Sequence, residues 1–121
     1  MRFARRTFTL AGALGLLMLL PMFFLYDRIG VDYPPALTHP EFFYGFLTVT
    51  VAWQIAFLII GSDPIRFRPL MIAAICEKGL YIVAMTWLYL AGRQTGAQFS
   101  VIGFDVIFGT LFVVSFVKTA R

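Results

Sequence analysis

Four long apolar runs, divided by short stretches that carry proline, glycine or charge, set out the whole chain. They extend over Thr7 to Tyr26, Glu41 to Ile60, Pro69 to Leu90 and Phe99 to Val117. A run of about 20 apolar residues, rising about 1.5 Å per residue, is long enough to cross the hydrocarbon core of a bilayer as a helix. The pattern therefore predicts an all-α, integral membrane four-helix bundle that forms a single domain over residues 1–121. No internal repeat or low-complexity tract divides it.

The polar stretches supply the ends. Asp32-Tyr33-Pro34-Pro35 cannot lie inside a helix and marks the first loop. Thr38 or His39 is positioned to cap the second helix, with Pro40 in its first turn and Glu41 favoured there by the helix dipole. Gly61-Ser62-Asp63-Pro64 ends that helix and Pro69 opens the third. Gly92 to Gly96 makes the last turn. Connections this short join antiparallel neighbours, which predicts an up-down-up-down order. The first run follows the basic residues Arg2, Arg5 and Arg6, as a signal peptide would. Its length, Pro21 within it and the lack of a small-x-small site around Phe24 to Asp27 predict a retained helix, kinked at Pro21.

Composition changes the picture only by confirming its solvent. Apolar residues make up 60% of the chain, charged residues 13%, and the mean hydropathy is +0.86. A soluble domain carries roughly 45–50% apolar and about 25% charged residues. The net charge of +4 comes from basic residues placed between apolar runs, where they act as topology signals and contacts for anionic lipids. Seven of the ten Lys and Arg residues fall on one side of the expected bundle: Arg2, Arg5, Arg6, Arg66, Arg68, Lys118 and Arg121. Arg28 and Arg93 fall on the other, and Lys78 lies within a span. That bias predicts both termini in the cytoplasm and a multi-pass protein of the bacterial inner membrane. The loop from Ser62 to Pro69, with Arg66 and Arg68, reads as an orientation and headgroup signal. Cys76 is the single cysteine and reads as a small buried hydrophobe, so no internal disulfide or cysteine metal site can form.

Ionisable residues at membrane depth are costly, which makes them functional candidates. From the helical rise, Glu77 is about 12 Å and Gln54 roughly 10 Å in from the cytoplasmic side, in one layer. Asp105 and Tyr81 fall about 18 Å in, in a second layer. Lys78 lies between the layers, with a stem that can reach either carboxylate. On the third helix Ala73, Glu77, Tyr81, Ala84 and Leu88 repeat at the helical step. Ala73 and Ala84 are therefore expected to face neighbouring helices, and Ile75, Ile82 and Leu90 to face lipid. Val101, Asp105, Gly109 and Phe112 repeat on the fourth, where Gly109 permits close approach. Ala11 and Gly15 form a small-xxx-small pair on the first.

Two readings of these residues compete. In one, Lys78 pairs with Asp105 or Glu77 and simply fixes which helices meet. In the other, Lys78 and Asp105 satisfy each other and Glu77, left with Gln54 and Tyr81, exchanges a proton or meets a ligand. At the outer mouth Asp27, Arg28, Asp32, His39 and Glu41 gather beside the aromatics Tyr26, Tyr33, Phe42, Phe43 and Tyr44, an interfacial belt. His39 and Glu41 supply two possible metal ligands without a third, so capping and interface solvation explain them better.

The stretches His39-Pro40-Glu41-Phe42-Phe43-Tyr44-Gly45 and Glu77-Lys78-Gly79 resemble small four-helix bacterial membrane proteins, loosely the DoxX-like group. That resemblance implies a membrane partner of redox proteins and brings no catalytic residue with it. The chain has no nucleophile-and-base pattern, phosphate loop, heptad zipper, cofactor ligand set or nucleic-acid motif. An enzyme acting on a lipid is thereby the weakest of three functions. The favoured one is a binding or accessory protein with an interhelical pocket for a lipid, quinone or other apolar molecule, or a surface for a partner membrane subunit. The alternative is a proton-coupled transporter of a small solute that uses Glu77, which at this size would need a homodimer to enclose a path.

Overall fold

The computed structural model describes residues 2–33 and 35–120; Pro34 of the first loop and Arg121 of the basic set lie outside the described residues. The described chain is helical. Helix α1 spans Arg2–Leu19 and continues as a 3-10 turn over Leu20–Phe24. A short α2 follows at Tyr26–Asp32, then α3 at Pro40–Ser62 and α4 at Arg68–Leu90. A one-turn α5 at Gly96–Phe99 leads through a 3-10 turn, Ser100–Ile102, into α6 at Gly103–Lys118. Four stretches are long and apolar enough to cross a membrane: Arg2–Phe24, Pro40–Ser62, Arg68–Leu90 and Gly96–Lys118.

The local reasons follow from the residues. Pro21 has no amide hydrogen and crowds the carbonyl four residues back, so the helix tightens to 3-10 geometry from Leu20 on. Pro40 and Pro69 sit in the first turns of α3 and α4, where a missing N–H costs nothing. His39 precedes α3 through its backbone: its carbonyl accepts from Phe42 and Phe43 N–H, and its side chain makes no capping bond. Gly92, at φ +73°, ends the turn after α4 as a left-handed residue. Thr95 and Gln98 cap α5 reciprocally, each side chain bonding the other's backbone N–H.

Helix α1 lies along α3 and touches α6, and α4 lies along α6. Small residues set the first contact. A Cβ built on Gly12 would stand 2.7 Å from the Gln54 carbonyl oxygen, and one on Gly61 would stand 3.0 Å from the Thr9 nitrogen. The register, Arg5 and Thr9 beside Gly61 and Gly12 beside Leu58, runs the two helices in opposite directions. The core where α1, α3 and α6 meet is aromatic. Phe8 stacks on Phe112 at 4.3 Å between ring centres, and Phe57 meets Phe112 edge-on at 5.0 Å. Ala4, Ala11, Ile60, Met71 and Ala74 complete this core.

Many other large apolar side chains are exposed, among them Leu17, Leu80, Val83, Trp87 and Leu90. Between 11% and 22% of the most apolar window of each span is buried inside the bundle, which leaves most of each window on its outer surface. Threonines satisfy themselves along the helices: the exposed Thr48 and Thr110, and Thr50 on the inner side of α3, each donate to the carbonyl four residues back.

Basic residues collect at one end of the bundle. Arg5 donates to the Ser62 carbonyl, and Lys118 lies over the Phe3 ring at 4.5 Å. Arg68 is the best held: it donates to the Phe116 carbonyl at 3.0 Å and to the Thr119 hydroxyl, and lies over the Phe116 ring at 3.7 Å.

Three expected positions are corrected: Cys76, Ile75 and Ala84. Cys76 is exposed on the outside of the bundle rather than buried. On α4 the buried positions are Met71 and Ala74, Ile75 packs against the core, and Ala84 is exposed. The inward stripe is turned by about one residue from the one drawn through Ala73 and Ala84. Ala84→Leu is therefore expected to change stability by no more than about 0.5 kcal/mol, as at an open surface. A thermal unfolding curve in detergent checks this; a clearly lower melting temperature would restore the original face.

Candidate functional site

A cavity of about 520 Å³ opens between the helices, and Gln54, Glu77, Lys78, Tyr81 and Asp105 all line it. Ligand sites commonly fall between about 300 and 1,000 Å³. Helix α1 with its 3-10 extension supplies one wall through Leu14, Met18 and Met22, and α3 a second through Phe46, Val49 and Trp53. Helix α4 carries Glu77, Lys78 and Tyr81, and α6 adds Phe104, Asp105 and Phe108. The lining is mostly apolar, with its polar groups gathered on α4, α6 and Gln54.

Lys78 organises the polar group. Its ammonium donates to Asp105 Oδ1 at 2.9 Å and stands 3.8 Å from Glu77 Oε2. The three side chains are 12%, 19% and 21% exposed for Lys78, Asp105 and Glu77, so water screens the pairs little. The Phe57 ring lies 5.5 Å from the ammonium and ties the site to the aromatic core. Gly109 makes the approach possible: a Cβ there would meet Lys78 Cβ at 3.3 Å. The sequence expectation that Lys78 reaches either carboxylate holds for both at once.

Glu77 is the member left over. Its Oε2 is buried and has no hydrogen-bond partner among the described residues. Gln54, itself buried, turns its amide to the Thr50 carbonyl of its own helix at 3.0 Å and packs against Gly15. Gln54 and Tyr81 thus share the cavity with Glu77, but no hydrogen bond joins either to it among the described residues. Ala11 and Gly15 pack as the small pair the sequence suggests and also border the cavity: Ala11 is buried in the core, and a Cβ on Gly15 would run into the Gln54 side chain of α3.

The cluster around α2 and the start of α3 is separate. His39 Nδ1 lies 3.5 Å from Glu41 Oε1, both side chains about two-thirds exposed, and Arg28 pairs with Asp32 within α2. Among the described residues no three His, Cys, Asp or Glu side chains come together as a metal site. The aromatics there instead fasten the segment between α1 and α3. Tyr26 donates to the Leu37 carbonyl at 2.9 Å and stacks on Tyr44, which reaches the Phe23 carbonyl.

Sequence reasoning found the polar residues of the cavity and missed its apolar wall on α1. Met18 and Met22 were the available signal, since methionine adapts to irregular surfaces, but it also fills ordinary cores. No family model, curated protein or solved structure matches this chain.

Proposed function

We propose that this chain is a multi-pass binding or accessory protein of a bacterial inner membrane, whose interhelical cavity holds an apolar molecule such as a lipid or a quinone. The cavity carries the reading: its size is that of sites for small ligands or for part of a longer apolar molecule, it is mainly apolar, and it is furnished with one localised polar group. The four apolar helices, the antiparallel registers and the basic end support an up-down-up-down bundle with that end in the cytoplasm. The likeness to DoxX-like proteins belongs to the same proposal, as does a homodimer or partner subunit on the outward apolar faces.

Thiol protection tests the cavity. Thr50→Cys, in a Cys76→Ser background, places a reactive group on its wall. Excess pyrenemethanol is expected to slow its modification by a maleimide at least about tenfold, and to leave an outward Val83→Cys unaffected. Equal rates with and without pyrenemethanol would reject a binding cavity.

A second reading, a proton-coupled transporter of a small solute using Glu77, is favoured by the unpartnered carboxylate oxygen at membrane depth. It predicts proton flux in proteoliposomes that Glu77→Gln abolishes; equal flux in both proteins rejects it.

A further inference from the structure

The charges lining the cavity do not balance. Glu77 and Asp105 present two carboxylates, and Lys78 alone offers an ammonium. Lys78 spends its closest contact on Asp105 and stands farther from Glu77, whose Oε2 remains without a hydrogen bond. The other groups in reach do not remedy this. Gln54 is committed to Thr50, and α1 brings only Ala11, Leu14, Gly15, Met18 and Leu19 to the same space. An apolar surround gives one surplus negative charge little solvation.

An incoming acceptor or anion would meet two carboxylates around a single ammonium already engaged by both. A donor would meet the Glu77 carboxylate, which lines the cavity with about a fifth of its side chain exposed, and a charged donor would also cancel the surplus. Beyond that polar group the wall is apolar, formed by Met18, Met22, Phe46, Val49, Val101 and Phe104.

We propose that the cavity selects an apolar molecule bearing one cationic, hydrogen-donating head of the ammonium class, with the head on Glu77 beside Asp105 and the apolar body against α1 and α3. The assignment rests on the binding-cavity reading above and narrows it to one chemical class. Glu77 and Asp105 are then interchangeable in charge: removal of either carboxylate leaves one acid for Lys78, a neutral site and no preference for a cation.

Three pyrene probes of closely similar shape test this: pyrenemethylammonium, pyrenemethanol and pyrenecarboxylate. Energy transfer from Trp53, in a Trp87→Phe background, reports entry, because Trp53 borders the cavity and Trp87 faces outward. A hydrogen bond to a charged group, converted to affinity, predicts that the ammonium binds at least about tenfold tighter than the alcohol, and that the carboxylate binds weakest. Glu77→Gln and Asp105→Asn should each bring the ammonium and alcohol affinities together, while micelle partitioning stays common to all proteins. Should one variant fail to fold, the other still decides.

Equal binding of ammonium and alcohol to the parent would overturn the cation assignment and leave the binding cavity standing. Tightest binding of the carboxylate would overturn it in favour of Lys78 as the recognising group. Entry of none of the probes would remove the cavity reading and the assignment together. A preference for the ammonium that survives both variants would place the cation elsewhere and overturn the role of Glu77 and Asp105.

Discussion

Lys78→Met will unfold more easily than the parent by about 3–5 kcal/mol, the usual cost of breaking a buried ion pair from one side. The ammonium is the single cation between Glu77 and Asp105, and its side chain is only 12% exposed. Methionine fills much the same volume, so the loss isolates charge from packing. Two carboxylates facing one apolar cavity without a cation repel each other and have little water to share. Glu77→Gln behaves differently. The sequence alone allowed it to be equally costly, by leaving Lys78 unpaired, but the 2.9 Å bond to Asp105 keeps the ammonium satisfied. Thermal unfolding in detergent compares the two directly. A stable Lys78→Met protein beside an unstable Glu77→Gln protein would reverse the assignment of partners.

Gly12→Leu is expected to be the most damaging substitution in the contact between α1 and α3. A Cβ at Gly12 would come within 2.7 Å of the Gln54 carbonyl oxygen, which is backbone and cannot swing aside. Leu58 crowds the same space. The helices must separate, at or above the upper end of the range of about 1–3 kcal/mol typical of overpacking. Separation also moves Gln54, so probe binding in the cavity should fall along with stability. The same substitution at Gly79, where a Cβ meets nothing within 4 Å, supplies the control and should be nearly neutral. Equal tolerance at both positions would show that α1 and α3 do not meet as described.

The elements were legible because hydrocarbon imposes a simple rule. A segment must satisfy its own backbone and be apolar over its whole length, so the four runs and their proline and glycine punctuation announced the four helices. The residues at depth were legible for the same reason, since Glu77, Lys78 and Asp105 stand out against apolar neighbours. What failed was rotation. In a soluble protein the polar face marks the outside, but here both faces of α4 are apolar and a one-residue turn of the stripe costs nothing visible in the pattern. Ala84 and Cys76 were misplaced on that account. Small size suggested an inward position, yet small residues serve equally well against lipid. Hydrogen bonding was also illegible where a side chain had a local alternative. Gln54 found the Thr50 carbonyl on its own helix rather than Glu77 on another. The short helix Tyr26–Asp32 falls between the end of the first run at Tyr26 and the loop marked from Asp32, and was not foreseen, because seven residues hold too few turns for periodicity to declare itself.

Native mass spectrometry of the gently extracted protein tests the binding cavity most directly. The parent should fly with one apolar molecule retained per cavity, in a stoichiometry that also counts the chains. Leu14→Trp, which thrusts a larger ring into the cavity from α1, should fly without it. Bare parent chains, or a bound molecule that survives Leu14→Trp undiminished, would contradict the account.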